Sequence, residues 1–282
     1  MIEEKLLLQL IQERFAENGQ ELPVFHNVAV RLQQLLASRT FEIDDVIELI
    51  SEDQSLSGRV LKVANASYYA GLTKIATIKD AIVRLGAQEI ANMAMLASQY
   101  EFYNSSDAML NRLMQELWGH ALSCAVGAKW LIRMGGYPGM AAEAFMGGLM
   151  HDIGKLALLK VLDDLQRDKG TDIQLTEKLV GRIMTCLHEE VGYALMKGWN
   201  FPDFYCDIAV KHHGQELDGG NILLAAVRLA NLACRKLGRS LHPADASIVL
   251  TETPETQFLG LTEVAMAELE IIIEDADSIC MA

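Results

Sequence analysis

Apolar residues in this chain recur with the period of an α-helix almost from end to end, and no stretch alternates strictly like a half-buried strand. Ile43, Val46, Ile47 and Ile50 stand at i, i+3, i+4 and i+7. Asp44 and Asp45 fall in the first turn, where the helix dipole favours acids. Leu56, Val60, Val63 and Ala64 repeat the stripe. So do Ile78, Ile82 and Leu85, followed by Gly86 at the position of a helix-ending glycine. The longest stripe runs through Leu113, Leu117, Ala121, Cys124, Ala128 and Leu131, and closes at Gly135-Gly136-Tyr137-Pro138. The chain has five prolines, each where a helix would begin or end. These patterns predict an all-α protein.

With 282 residues, 51% of them hydrophobic and 22% charged, the chain can bury one large core or two packed ones, which excludes wholesale disorder. No uncharged apolar run approaches the ~18–20 residues that span a bilayer. The start, Met1-Ile2-Glu3-Glu4-Lys5, lacks the basic opening of a signal peptide. Cys124, Cys186, Cys206, Cys234 and Cys280 are odd in number and contain no C-x-x-C pair. They read as reduced thiols of a cytoplasmic protein, packed mostly as small apolar groups. The net charge is −14, and Arg112, Lys129 and Arg133 lie scattered among acids. Nucleic acids and anionic membranes take most of their affinity from clustered Lys and Arg, so a protein or small-molecule partner is expected instead.

Two breaks divide the pattern. Asn104-Ser105-Ser106-Asp107 separates an N-terminal helical part, 1–105, from a part that holds most of the histidines, 106–237. Within the latter, Gly214, Gly219 and Gly220 open a turn before a helix over Asn221 to Leu237. Residues 238–282 form a C-terminal helical extension whose acidic amphipathic stretch, Glu263 to Glu274, reads as a packing or solvated helix.

Five of the seven histidines form a series with acidic residues: Glu116-x-x-x-His120, His151-Asp152-Ile153-Gly154-Lys155, His188 and His212-His213. Imidazole and carboxylate suit borderline divalent metals. On a helix, Glu116 and His120 project from one face. His151 and Asp152 diverge by roughly 100°, which suits a histidine on one ion and a carboxylate that bridges to a second. Lys155 returns to the same mouth, where its ammonium can hold a phosphate oxygen. Gly192, one turn after His188, leaves room for a close helix approach or for substrate. His26 and His242 stand outside the series and read as structural or surface residues.

This order resembles the HD superfamily of metal-dependent phosphohydrolases, with their His, His-Asp and late Asp; His188 and His212-His213 bring it nearest the HD-GYP branch and its relative, the HDOD domain. Leu22-Pro23, Ile50 to Leu56, Leu61 to Tyr69 and Ala81 to Gly86 look like the HDOD signature, so the chain is identified as resembling that bacterial family, which is associated with signalling and regulation. The resemblance implies an N-terminal helical bundle packed on an HD-type helical core. It implies one or two divalent transition-metal ions (Fe, Mn, Zn, Ni or Co) on Glu116, His120, His151, Asp152, His188, His212 and His213. It gives Lys155 and Asp152 the catalytic roles if the site is active. Position 231, where the hydrolases carry aspartate, is Asn231, a neutral and weaker ligand, and no GYP motif follows His213-Gly214. Two readings follow. One is a regulatory module that keeps a metal site, binds a signalling partner or a phosphate-containing small molecule, and uses N-terminal positions such as Leu56 and Asn65 for its partner. The other is an active phosphohydrolase acting on a nucleotide or cyclic dinucleotide.

Overall fold

The computed structural model describes residues 27–38, 40–66, 69, 73–168, 174–214 and 220–276, with residues 7, 10, 11 and 13–15. Met1 to Lys5, Leu22-Pro23, His26, Ser67-Tyr68, the segment 215–219 and Cys280 lie outside the described residues. The described residues form helices, short 3₁₀ turns and connections, with no strand among them.

From residue 27 on, the described residues of the N-terminal half form the helices α1 (Asn27–Ala37), α2 (Ile43–Ser51), α3 (Gln54–Ala64), α4 (Ile78–Leu85) and α5 (Ala87–Gln99). Their starts follow from sequence. The Asp53 carboxylate accepts the Leu56 amide at 2.9 Å and Thr77 Oγ1 accepts the Asp80 amide at 3.0 Å, satisfying N–H groups that a helix cannot pair internally. Gly86, with φ +89°, turns the chain directly from α4 into α5, a conformation that a β-carbon would strain. Val28, Leu32, Val46, Ile50, Leu56, Val60, Ile82 and Ile90 pack into one core. Leu56 is fully buried, and the Asn65 side chain bonds the backbone of Leu61 and Ile75. Leu56 therefore builds the fold and presents no partner surface, because its isobutyl group is fully covered, while the half-buried Asn65 spends its amide on the backbone.

Helix α5 joins the halves. One side supplies Ile90, Ala91 and Ala94 to the N-terminal core, while Met95 and Leu96 enter a second, larger core. The Asn92 amide donates to Ala142 O at 2.8 Å across the boundary. The buried carboxylate of Glu89 accepts from the Tyr69 hydroxyl at 2.5 Å and from the buried Lys129 ammonium.

The larger core surrounds α6 (Ala108–Met134), whose first turn is capped by Asp107 accepting the Leu110 amide at 2.9 Å. Packed on and around it are α7 (Ala141–Met150), α8 (Ile153–Arg167), α9 (Glu177–Gly198), α10 (Asp203–Lys211), α11 (Ile222–Lys236), the short α12 (Pro254–Phe258) and α13 (Glu263–Glu274). Ala265, Met266, Leu269 and Ile273 turn inward from α13, so the acidic stretch is a packing helix.

Two glycines set how closely the helices approach. A β-carbon on Gly148 would sit 2.6 Å from Cys124 O and 2.7 Å from the Ala125 Cα, so α7 touches the bare backbone of α6. A β-carbon on Gly154 would sit 1.9 Å from His188 O and 2.7 Å from the Gly192 amide, so α8 begins against the backbone of α9. Gly148 precedes His151-Asp152 and Gly154 follows it. The turn bearing this dipeptide is thus docked between α6 and α9.

Candidate metal centre

The α7–α8 turn places His151 and Asp152 beside His120 from the middle of α6, His188 from α9 and His212 from the end of α10. All five side chains are almost wholly buried. Asp152 lies at their centre. Its Oδ2 is 3.3 Å from His120 Nε2 and 3.4 Å from His151 Nε2, and its Oδ1 is 3.3 Å from His212 Nε2 and 3.6 Å from His188 Nε2. One carboxylate thus faces two pairs of imidazoles, one pair per oxygen. His213 closes the second pair, its ring centroid 5.2 Å from that of His188, and is itself exposed.

The backbone fixes which nitrogen each ring presents. His120 Nδ1 contacts Arg239 O at 2.8 Å, His151 Nδ1 contacts Gly148 O at 2.8 Å, and His188 Nδ1 contacts Met184 O at 2.7 Å. His212 Nδ1 meets Ile208 O and Ala209 O at 3.1 and 3.0 Å. A carbonyl accepts only, so each Nδ1 carries a hydrogen and each Nε2 faces inward, with its lone pair free on the neutral rings of His151 and His188. His188 Nε2, His212 Nε2 and Asp152 Oδ1 then have no hydrogen-bond partner, although all three are buried. Leaving such groups unpaired costs about 1–3 kcal/mol each. Nε2 of His120 and of His151 face one another at 3.2 Å, an approach that two lone pairs tolerate only with a shared positive centre between them, a proton carried by His120 in the metal-free chain or a metal ion in its place. Donor type, tautomer and orphaned lone pairs all fit a divalent metal.

Charge in the metal-free chain agrees. Burial, the largest influence on His151 and His188, holds both imidazoles at about 4, and partial covering of the His213 ring, with the neighbouring His212, lowers that imidazole too. Burial pushes His120 the same way but is outweighed by hydrogen bonds to Asp152 and Cys234, leaving it raised to about 9. Burial alone would raise Asp152. The Lys155 ammonium, His151, and hydrogen bonds from His120 and His151 instead hold it well below the usual carboxylate range. Lys155 Nζ donates to Asp152 Oδ2 at 2.7 Å.

A cavity of about 330 Å³ opens on the cluster, and both Lys155 and Asn231 line it. Glu116 is not brought in. One helical turn from His120 is about 6 Å along the axis, and that places the carboxylate at the surface, 41% exposed and 3.0 Å from Arg112 Nη1. Sequence reading also left out four residues near the centre. The Sγ atoms of Cys124 and Cys234 lie 3.6 Å apart, with Cys124 Sγ 3.8 Å from His120 Nε2. His242, read as a structural or surface residue, lines the cavity mouth with Arg235. The positions Cys124 and Arg235 share helix faces with His120 and Asn231, a signal present in the spacing; His242 has no such signal.

The family model of the HDOD domain matches residues 22–215. The chain belongs to the HDOD family. The HDOD fold extends to solved structures. An HDOD domain protein of unknown function from Geobacter sulfurreducens aligns over 99% of each chain with TM-score 0.74 and 23% identity. A protein from Shewanella amazonensis SB2B, provisionally described as a metal-dependent phosphohydrolase, aligns over 98% of this chain and 99% of its own with TM-score 0.70 and 21% identity. A provisionally described signal transduction protein from Marinobacter aquaeolei VT8 aligns over 98% of this chain and 64% of its own, with TM-score 0.68 and 22% identity. An uncharacterized protein of Treponema pallidum (strain Nichols) is 22% identical over 229 residues, and the match spans 79% of this HDOD chain but 44% of that protein. Among the described residues no helix is long and apolar enough to cross a membrane.

Proposed function

We propose that this HDOD chain is a signalling module that holds divalent transition-metal ions at the Asp152 cluster. The observation that carries the reading is the set of buried, unpartnered acceptors converging on one space: Asp152 Oδ1, His188 Nε2 and His212 Nε2. His120 and His151 with Asp152 Oδ2 would hold one ion, with Asn231 at the cavity wall as a neutral fourth contributor. His188 and His212 with Asp152 Oδ1 would hold a second, with His213 beside them. Provisional descriptions of its structural relatives as a metal-dependent phosphohydrolase and as a signal transduction protein accord with both halves of this reading.

Phosphoester hydrolysis is the second reading, and the cavity beside Lys155 favours it. Bound divalent ions supply Lewis-acid polarisation of a phosphoryl oxygen. The chain's own part is to orient. Lys155 would steady a non-bridging oxygen as a point charge, Asp152 would keep the two histidine pairs in register, and the backbone carbonyls would lock the imidazole tautomers. Asn231 contributes no negative charge, which weakens the grip on one ion and sets the regulatory reading above the enzymatic one. Elemental analysis of protein purified without chelator, beside a screen of phosphomonoesters, phosphodiesters and cyclic dinucleotides, tests both. Bound metal without turnover supports the module. Turnover abolished by Asp152→Ala supports the hydrolase, and absence of metal refutes the common premise.

A further inference from the structure

The cavity beside the cluster is walled in part by residues beyond the 22–215 match. Arg235 lies one turn after Asn231 on α11, and both line the cavity. The loop after α11 completes the wall with Ser240, Leu241 and His242. This loop is tied down on two sides. Arg239 O accepts from His120 Nδ1 at 2.8 Å, and Arg239 Nη2 donates to Glu274 O at 2.7 Å. Ser240 Oγ contacts both the amide and the carbonyl of His242 at 3.2 Å, which fixes the turn that brings His242 to the mouth. A wall anchored to a ligand of the candidate centre is part of the site's architecture.

Resting on the metal-centre reading, we propose that this cavity binds a small phosphomonoester that carries hydroxyl groups, with its phosphate between Lys155 and Arg235 and its hydroxyls facing Glu189. Three observations combine. First, in a chain of net charge −14, Lys155 and Arg235 both face this one space. Lys155 spends its ammonium on Asp152 Oδ2 in the metal-free chain. An ion on that oxygen takes over the carboxylate's charge, leaving the ammonium and the guanidinium fork facing the cavity, where they match a phosphate's charge of about −1.5 to −2. Second, Glu189 lines the same cavity. A carboxylate repels an anion but accepts from hydroxyls, so it selects a ligand that sets donors beside its phosphate. Third, the volume of about 330 Å³ is at the low end of the ~300–1,000 Å³ of small-molecule sites. It accommodates a phosphate on one sugar-sized body and is too small for a cyclic dinucleotide.

The test is calorimetric titration of the full, manganese-loaded chain with ribose 5-phosphate, inorganic phosphate and a cyclic dinucleotide, with metal content measured on every variant. The parent should bind ribose 5-phosphate more tightly than inorganic phosphate, and should bind the cyclic dinucleotide no better than inorganic phosphate. Arg235→Ala should weaken both phosphate probes about tenfold, the loss of one charge-assisted contact, with metal content unchanged. Arg235→Lys should recover part of that loss. Glu189→Gln should remove the preference for ribose 5-phosphate without weakening inorganic phosphate. The metal-free parent should bind both probes at least about tenfold more weakly, since Lys155 is then held by Asp152. A metal-loaded parent that binds neither phosphate, or binds the cyclic dinucleotide most tightly, overturns this proposal and leaves the metal centre standing. A parent that takes up no metal overturns both.

Discussion

Gly154→Ala isolates the contact that docks Asp152 against His188. The added β-carbon would stand 1.9 Å from His188 O, 2.7 Å from the Gly192 amide and 2.8 Å from the His188 carbonyl carbon, all of them backbone atoms. No side chain can swing away to admit it. A carbon–oxygen contact relaxes at roughly 3.3 Å, so α8 and α9 must part by more than an ångström. Overpacking usually costs about 1–3 kcal/mol, and a clash against backbone alone belongs at the upper end, about 3 kcal/mol. For a chain of this size that is a fall in Tm of roughly 6–12 °C. The same parting lengthens the His188 Nε2 to Asp152 Oδ1 separation, at 3.6 Å already the longest in the cluster. The variant should therefore lose the ion assigned to His188 and His212 while keeping the one assigned to His120 and His151. Gly181→Ala on the same α9 is the control, because its β-carbon meets nothing within 4 Å. It should leave Tm level or raised, since alanine gains up to about 1 kcal/mol over glycine in a helix. Scanning calorimetry and elemental analysis read both quantities. If Gly154→Ala melts with the parent and keeps its full metal content, the glycine contact does not position the site.

Three further outcomes follow from the same geometry. In the metal-free protein, His151 and His188 are held at about 4 against an ordinary 6.5, so between these values the unfolded chain binds protons that the folded chain refuses. Stability should rise with pH through that window, and His120, raised to about 9, should reverse the trend above 6.5; a Tm flat from pH 4 to 9 after chelation contradicts this. Asn231→Asp should raise metal affinity, as an anionic oxygen grips a divalent ion better than an amide carbonyl. If the site hydrolyses phosphodiesters, the rate should rise with it, while Lys155→Ala lowers turnover more than metal content; unchanged metal affinity in Asn231→Asp removes position 231 from the centre. Lys129→Met leaves the Glu89 carboxylate buried without its ammonium and should cost about 3–5 kcal/mol, checked by urea denaturation. A loss below 1 kcal/mol would mean the pair does not hold the halves together.

The all-α architecture was legible because helical spacing, caps and prolines act locally. Leu113 to Leu131 already trace the inward face of α6, and Gly86 marks the turn between α4 and α5. The histidine series was legible as chemistry, since imidazole beside carboxylate has few other uses at that density. Spacing could not show depth. Glu116 and His120 share a helix face, yet one lies at the surface with Arg112 and the other in the core. A close approach of helices was expected at Gly192, and the tighter contact is on its partner, Gly154. Arg239 O, His242 and Glu189 reach the site through loop closure and helix packing, which no periodicity encodes. Leu56 was expected to matter for partner binding and lies at the centre of the N-terminal core, because a stripe's spacing does not tell whether it packs against its own chain or against a partner.

The central claim is that the converging acceptors of Asp152, His188 and His212 hold metal in the native state. The most direct test follows the melting temperature of chelator-stripped protein during titration with manganese or iron(II), beside Asp152→Ala and His151→Ala. An ion that binds only the folded chain stabilises it by about 2.7 kcal/mol at a hundredfold excess over its Kd, a rise of roughly 5–11 °C in the parent. Neither variant should show this rise, and each should lose bound metal. A parent that melts at the same temperature with and without metal, or an Asp152→Ala variant that gains as much as the parent, contradicts the account.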